Sequence, residues 1–157
     1  MMKWQRVLFF IVASLLVLSA CTPQPSLEDD INAGVKKVID SDGGATGNGL
    51  LRMSYVASNF KWDRLYIFPP YTTKKAMNKC LGFEWEGLSS GMDDDQYKYL
   101  VFVKGDEVVR TVKHHRNKGD FDPISKGLTP NTAVFLANKN KEGNWELKPA
   151  GSADIGN

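Results

Sequence analysis

Ser89 and His114 have the residue types of a hydrolytic pair. Gly87-Leu88-Ser89-Ser90-Gly91 matches the pattern G-x-S-x-G, and His114 follows it along the chain after an acidic run at residues 93–95. In an α/β-hydrolase such a serine stands on a strained turn between a strand and a helix, above a parallel sheet. The chain lacks the strand–helix alternation that builds this sheet. A small serine hydrolase using Ser89 and His114 is therefore the alternative hypothesis.

The histidines and carboxylates do not have the spacing of a metal site. His114 and His115 are neighbours in a predicted strand, so their side chains point to opposite faces and cannot both ligate one ion. Asp93-Asp94-Asp95 is contiguous, whereas a calcium loop alternates its ligands. Asp120-Phe121-Asp122 alternates, but Pro123 follows and no glutamate stands at the required distance. We predict no metal and no cofactor.

An aromatic segment at residues 60–72 is the most unusual stretch of the chain. Its aromatic and β-branched residues predict a strand that ends at Pro69-Pro70, with core packing as one role. The other role is recognition, because Trp, Tyr and Arg dominate the energetically important positions of protein interfaces. The candidate partner-binding residues are Trp62, Arg64, Tyr66 and Tyr71.

The first twenty residues have the pattern of a secretory signal. Lys3 and Arg6 form a positively charged start, and residues 7–20 carry no charge. That run is shorter than the roughly 20 apolar residues that span a bilayer. It ends in Leu18-Ser19-Ala20-Cys21, which resembles the lipobox of bacterial lipoproteins.

The lipobox resemblance implies a lipid anchor. It implies diacylglyceryl transfer to the Cys21 thiol, cleavage before Cys21 and acylation of the new amino group; two or three acyl chains bind a membrane stably. An Asp after the cysteine resembles the inner-membrane retention signal of Gram-negative lipoproteins, and here Thr22 occupies that position. We therefore expect the periplasmic face of the outer membrane in a Gram-negative host, and a lipid-anchored location at the cell membrane otherwise.

Two further likenesses concern the mature chain. The aromatic segment resembles a stretch found in small uncharacterised bacterial lipoproteins, which indicates kinship without an activity. The order of a helix, a short helix ending at Leu81-Gly82 and several strands is similar to the small outer-membrane lipoproteins of the β-barrel assembly machine.

The charge balance does not favour nucleic acid as a partner. The chain has 157 residues, 20 of them Lys or Arg and 18 Asp or Glu. Removal of the signal takes away Lys3 and Arg6, which leaves equal numbers of basic and acidic residues. A nucleic-acid surface needs a clustered basic excess, so we predict no such partner. The basic residues 113–118 are expected in solvent or near anionic headgroups.

Local signals predict two helices near the start of the mature chain. Ser26 is an N-cap with an acid three residues later, and an apolar stripe follows at helical spacing. Thr72 or Thr73 caps a second, short helix that ends at Gly82.

The later sequence predicts antiparallel strands. Residues 97–104 and 107–114 flank Gly105-Asp106, which is the pattern of a two-residue hairpin with apolar side chains on both faces. A simple register pairs Val103 with Val108, Lys104 with Glu107, Phe102 with Val109, Val101 with Arg110, and Tyr99 with Val112. A second hairpin is predicted from residues 132–137 and 144–147. A turn-rich loop is predicted at residues 117–130.

The predicted fold class is α+β, with one or two N-terminal helices packed on an antiparallel sheet of about four or five strands. The organisation is a signal at 1–20, a tether at 21–25, one globular domain at 26–148 and a disordered tail at 149–157. The leading hypothesis is a lipid-anchored envelope lipoprotein with a non-enzymatic binding or adaptor domain. Its expected partners are membrane lipid, through acylated Cys21, and an envelope protein.

Overall fold

The computed structural model describes residues 25–41, 49–88 and 91–151, and it confirms the α+β class. Three α-helices lie in these ranges: α1 (Leu27–Asp40), α2 (Met53–Val56) and α3 (Lys74–Leu81). The eight strands there are β1 (Leu50–Arg52), β2 (Arg64–Phe68), β3 (Tyr97–Lys104), β4 (Glu107–His115), β5 (Asp120–Phe121), β6 (Ile124–Leu128), β7 (Val134–Lys139) and β8 (Trp145–Pro149). A 3₁₀ turn at Arg116–Lys118 joins β4 to β5.

Several predicted segments lie outside the described residues. These are the signal at 1–20, Cys21 with most of the tether, Ser89, and residues 152–157 of the tail. Among the helices of the described ranges, none is long and apolar enough to cross a bilayer.

The strands form two four-stranded sheets, so the prediction of one sheet is corrected. The first sheet has the order β1-β7-β8-β5 and the second the order β4-β3-β2-β6. Every strand pair in the described ranges is antiparallel except β5 with β8, which is parallel. Strands β5 and β6 lie within residues 117–130, for which a turn-rich loop was predicted. The prediction is wrong there because these strands are too short and polar to show a strand pattern.

One hydrophobic core joins both sheets to α1. The helix contributes its buried stripe, and alternate residues of the second sheet meet those of the first. Its largest fully buried members are Phe102, Phe121, Phe135, Ile31, Met53, Leu65, Ile67, Leu100 and Leu147.

A second hydrophobic cluster covers the opposite face of the second sheet. Tyr66 and Phe68 of β2 and Tyr99 of β3 pack there against Met77 and Leu81 of α3. Strands β2 and β3 are therefore buried on both faces, as the apolar residues on both sides of the predicted hairpin indicated. A strand with two apolar faces needs a covering layer on each; here α3 covers one face, and α1 with the first sheet covers the other.

The predicted helix boundaries are confirmed by their caps. Ser26 and Asp29 form a reciprocal capping box, with the Ser26 hydroxyl accepting from the Asp29 N–H at 3.1 Å. The Thr73 hydroxyl caps α3 by accepting from the Ala76 N–H at 3.2 Å. Gly82 then ends α3 in the left-handed conformation at φ 84°.

A β-bulge corrects the predicted register of the β3–β4 hairpin. The pairs next to the turn, Val103 with Val108 and Lys104 with Glu107, are confirmed. The register then shifts by one residue at Val109. The other three predicted pairs are wrong, since Phe102 pairs with Arg110, Val101 with Thr111 and Tyr99 with Lys113.

The bulge also changes which side chains of β4 face inward. Val108 packs against the second cluster, and strict alternation would place Val112 and His114 on the same side. The extra residue reverses this alternation. Val112 therefore packs in the main core, and His114 lies against Phe121 of that core.

The folded domain extends slightly beyond the predicted boundary at residue 148. Strand β8 includes Pro149, which pairs with Phe135, and the Ala150 N–H donates to the Val134 carbonyl at 2.8 Å. The assignment of 149–157 to a disordered tail is therefore corrected at its first two residues.

Substitution of Gly119 tests the close packing of α1 on the turn after β4. Gly119 has φ 133°, and an added Cβ would lie 2.9 Å from Val35 Cγ1 and 3.2 Å from Leu147 Cδ1. We expect Gly119→Ala to lower the free energy of unfolding by roughly 2–3 kcal/mol, from strain and overpacking together. Gly82→Ala is the control, because Gly82 also has positive φ but open space around it. It should lower that free energy by only about 1 kcal/mol in urea denaturation. Equal losses in the two variants would contradict the packing.

Candidate functional site

Two of the four candidate partner-binding residues are core residues. Trp62 is 7% exposed, its indole N–H donates to the Ala57 carbonyl at 3.1 Å, and its ring meets Phe102 edge-on. Tyr66 is also 7% exposed but belongs to the second cluster, where it stacks on Phe68. The two side chains therefore lie on opposite faces of the second sheet and serve packing.

The other two candidates are exposed and lie at opposite ends of β2. Arg64 begins the strand, and Tyr71 follows its end after Pro69-Pro70. Tyr71 is 65% exposed and has φ 62°, a strained conformation for a residue other than glycine. Its N–H donates to the Met92 carbonyl. The four residues do not form one surface, and Tyr71 remains the exposed aromatic among them.

His114 is placed as a core residue. Its side chain is 0% exposed, and Nε2 lies 2.9 Å from the Gly119 carbonyl oxygen. Nδ1 is buried and has no hydrogen-bond partner within residues 25–41, 49–88 and 91–151. A general base must reach the proton that it abstracts, and His114 presents neither nitrogen to solvent. This geometry does not favour the hydrolase hypothesis.

Burial changes the protonation of His114. Desolvation lowers the pKa of the imidazole below its ordinary value, although the hydrogen bond to the Gly119 carbonyl opposes this effect. The folded protein therefore favours the neutral ring.

An ion cluster that the sequence analysis missed joins the two sheets. Lys98 of β3 is buried, and its ammonium donates to the Phe121 carbonyl at 2.6 Å and lies 2.7 Å from Asp120 Oδ1. Arg116 donates to Asp120 Oδ2 from Nε at 3.0 Å and from Nη2 at 2.7 Å. Lys98 itself was the sequence feature that could have indicated a buried ion pair, because it is a charged residue inside a strand that is otherwise buried on both faces.

Asp120 is ionised at the centre of this cluster. Burial alone would raise the pKa of its carboxyl, but hydrogen bonds from Arg116 and Lys98 outweigh burial and hold the pKa below its ordinary value. Because both cations contact one carboxylate, the three side chains fix the position of the 3₁₀ turn relative to β3.

A cavity of about 460 Å³ lies beside the ion cluster, and we name it the polar cavity. Its walls come from the 3₁₀ turn, β5, the β7–β8 turn and the start of β8. The side chains used below are Arg116, Asn117, Asp120, Asn144, Trp145 and Glu146. No local sequence pattern marks this cavity, because its residues come together only when β5 pairs with β8.

The wall formed by the β7–β8 turn is held in place by Asn140. The Asn140 Oδ1 accepts from the Glu142 N–H at 3.1 Å and from the Asn144 N–H at 2.9 Å. Its Nδ2 donates to Glu146 Oε1 at 3.1 Å. Hydrogen bonds from Lys148 and Asn140 lower the pKa of the Glu146 carboxyl. The wall is therefore ordered by the protein's own contacts.

Comparisons supply no known counterpart for this arrangement. No family model, curated protein or solved structure matches the chain. In the part of the chain that the structure describes, no group of three or more His, Cys, Asp or Glu side chains could hold a metal ion.

The protonation of His114 predicts a pH dependence of stability. The unfolded chain binds a proton at His114 below about pH 6.5, whereas the folded chain resists it. The contribution of His114 to the free energy of unfolding is therefore fully present above about pH 6.5. It decreases as the pH drops from there toward the lowered pKa of the folded state, by at most about 1.4 kcal/mol per pH unit. We expect His114→Phe to remove this slope in urea denaturation.

His115→Asn is the matched control for that experiment. His115 is the neighbouring histidine but is only partly buried, with its ring against Tyr97. This variant retains His114 and should keep the wild-type slope. An unchanged slope in His114→Phe would contradict the assignment.

Proposed function

We propose that this chain is a lipid-anchored envelope lipoprotein whose folded domain is a non-enzymatic binding or adaptor module. The observation that carries the proposal is Leu18-Ser19-Ala20-Cys21 at the end of an uncharged apolar run. Acylation of Cys21 would hold the chain on the membrane through its lipid, because two or three buried acyl chains bind stably. These residues lie outside the described ranges, so the support for the anchor is the sequence pattern.

The start of the folded domain supports a short tether. Ser26 caps α1, and only five residue steps separate it from Cys21. A fully extended chain of this length spans at most about 17 Å. Anchoring at Cys21 would therefore keep the first turn of α1 within that distance of the lipid.

The chemistry of the described residues supports binding more than catalysis. His114 presents no nitrogen to solvent, and the charged groups around the polar cavity are paired with one another. Catalytic acids and bases need pKa values and positions suited to transferring a proton to a substrate. Paired, ordered polar groups instead suit recognition, and Tyr71 adds an exposed aromatic at a second place.

The anchor is tested by exchanging each cysteine in turn. We expect Cys21→Ser to abolish acylation and to block cleavage, so that the chain keeps the apolar residues 7–20 but takes up no label from radioactive palmitate in cells. Cys80→Ser is the matched control, since the chain has 2 cysteines and Cys80 only packs against the second cluster. The control should be cleaved and labelled as wild type is. Palmitate labelling of Cys21→Ser equal to that of wild type would contradict the anchor.

The exposed tyrosine is tested by cross-linking in cells followed by mass spectrometry. We expect Tyr71→Ala to lower recovery of the envelope partner at least about tenfold, as loss of an important interface residue does. Tyr55→Ala is the control, because Tyr55 is 76% exposed and lies on α2. Both variants should keep wild-type stability within about 0.5 kcal/mol. Equal partner recovery from the two variants would remove Tyr71 from the binding surface.

A further inference from the structure

We propose that the polar cavity binds a neutral saccharide. This inference deepens the proposed function, on which it rests, by naming the ligand class of the binding domain. Its basis is one cavity that brings together an indole, amide side chains and charged groups that already neutralise one another.

The size and lining of the cavity suit a sugar. Its volume of about 460 Å³ falls within the roughly 300–1,000 Å³ of small-molecule sites. Trp145 lines the cavity, packs partly against the main core and has the Lys139 ammonium 5.1 Å from the centroid of its ring. The C–H groups of a pyranose ring pack favourably on the part of the indole that stays accessible, because an aromatic face carries partial negative charge. Amides beside it can both donate to and accept from sugar hydroxyls.

The lining also contains free hydrogen-bonding groups. The side-chain amides of Asn117 and Asn144, and the indole N–H of Trp145, make no hydrogen bond to any other residue that the structure describes. Asn117 and Asn144 are exposed, so a ligand can reach them. These groups can bind hydroxyls without breaking an existing contact.

The charges of the lining favour a neutral ligand over an anion. Arg116 is held by two hydrogen bonds to Asp120 and a third to the Asp95 carbonyl. Glu146 is 3.1 Å from the Lys148 ammonium. A phosphate would have to compete with carboxylates for these cations, whereas a hydroxyl can accept from or donate to the paired groups without separating them.

The site is ordered before any ligand binds. The Asn140 amide fixes the β7–β8 turn, and Asp120 fixes the Arg116 guanidinium. The backbone of the lining and the guanidinium therefore lose little conformational entropy on binding, which leaves that cost to the exposed side-chain amides of Asn117 and Asn144.

Calorimetric titration of the full-length chain in a sugar-free zwitterionic detergent tests the proposal. The probes are tri-N-acetylglucosamine, maltotriose and inorganic phosphate. The two trisaccharides distinguish amino-sugar glycans from simple hexose glycans as the source. We expect saturable binding of at least one trisaccharide, and an affinity at least about tenfold lower in the double variant Asn117→Ala/Asn144→Ala.

Two further variants keep the test decisive. Trp145→Phe retains an aromatic side chain in the core but removes the indole N–H and part of the ring, and it should also weaken binding. Asn59→Ala is the control, because Asn59 is an exposed asparagine outside the cavity, and it should bind as wild type does.

Three results would overturn the proposal: no heat from either trisaccharide at millimolar concentration, equal affinity in wild type and the double variant, or phosphate binding that the double variant weakens. Titration in solution does not depend on the lipid at Cys21. A failure here would therefore leave the anchor to be judged by the cysteine variants alone.

Discussion

The bulge at Val109 determines how the second half of the chain is arranged. Before the bulge, Val108 faces the second cluster; after it, Val112 and His114 face the main core. One extra residue thus reverses the side of every later side chain in β4. With His114 inside, its Nε2 contacts the Gly119 carbonyl, and this contact holds the turn that follows the strand.

The turn held by His114 positions the charged groups that join the sheets. Arg116 lies in this turn and reaches Asp120 at the start of β5, while Lys98 reaches the same carboxylate from β3. Removing one member of such a partly buried cluster would leave the others unpaired and would destabilise the fold. Asp120 is also a wall of the polar cavity, and the cavity therefore depends on the bulge through the turn and the ion cluster.

The sequence predicted the features that depend on neighbouring residues. Ser26 and Gly82 were recognised as caps because their signals lie within one helical turn, and the Gly105-Asp106 hairpin because a two-residue turn sets the pairs beside it. The bulge was missed, since no residue type at Val109 marks it. The division into two sheets and the polar cavity have no local signal for a related reason: within the first sheet, β5 pairs with β8 across more than twenty residues, and short polar strands show no periodicity.

Under the proposed function, acylation of Cys21 would place a lipid five residues before Ser26, where the folded domain begins. The proposed place of the domain in the envelope depends on this lipid, whose support is the sequence pattern at residues 18–21. Intact-mass spectrometry of the protein purified from its native membrane detects the lipid directly. We expect a chain that begins at Cys21 and is heavier than its peptide mass by two or three fatty acyl groups and a glyceryl unit. A mass equal to the unmodified chain, with residues 1–20 still attached, would contradict it.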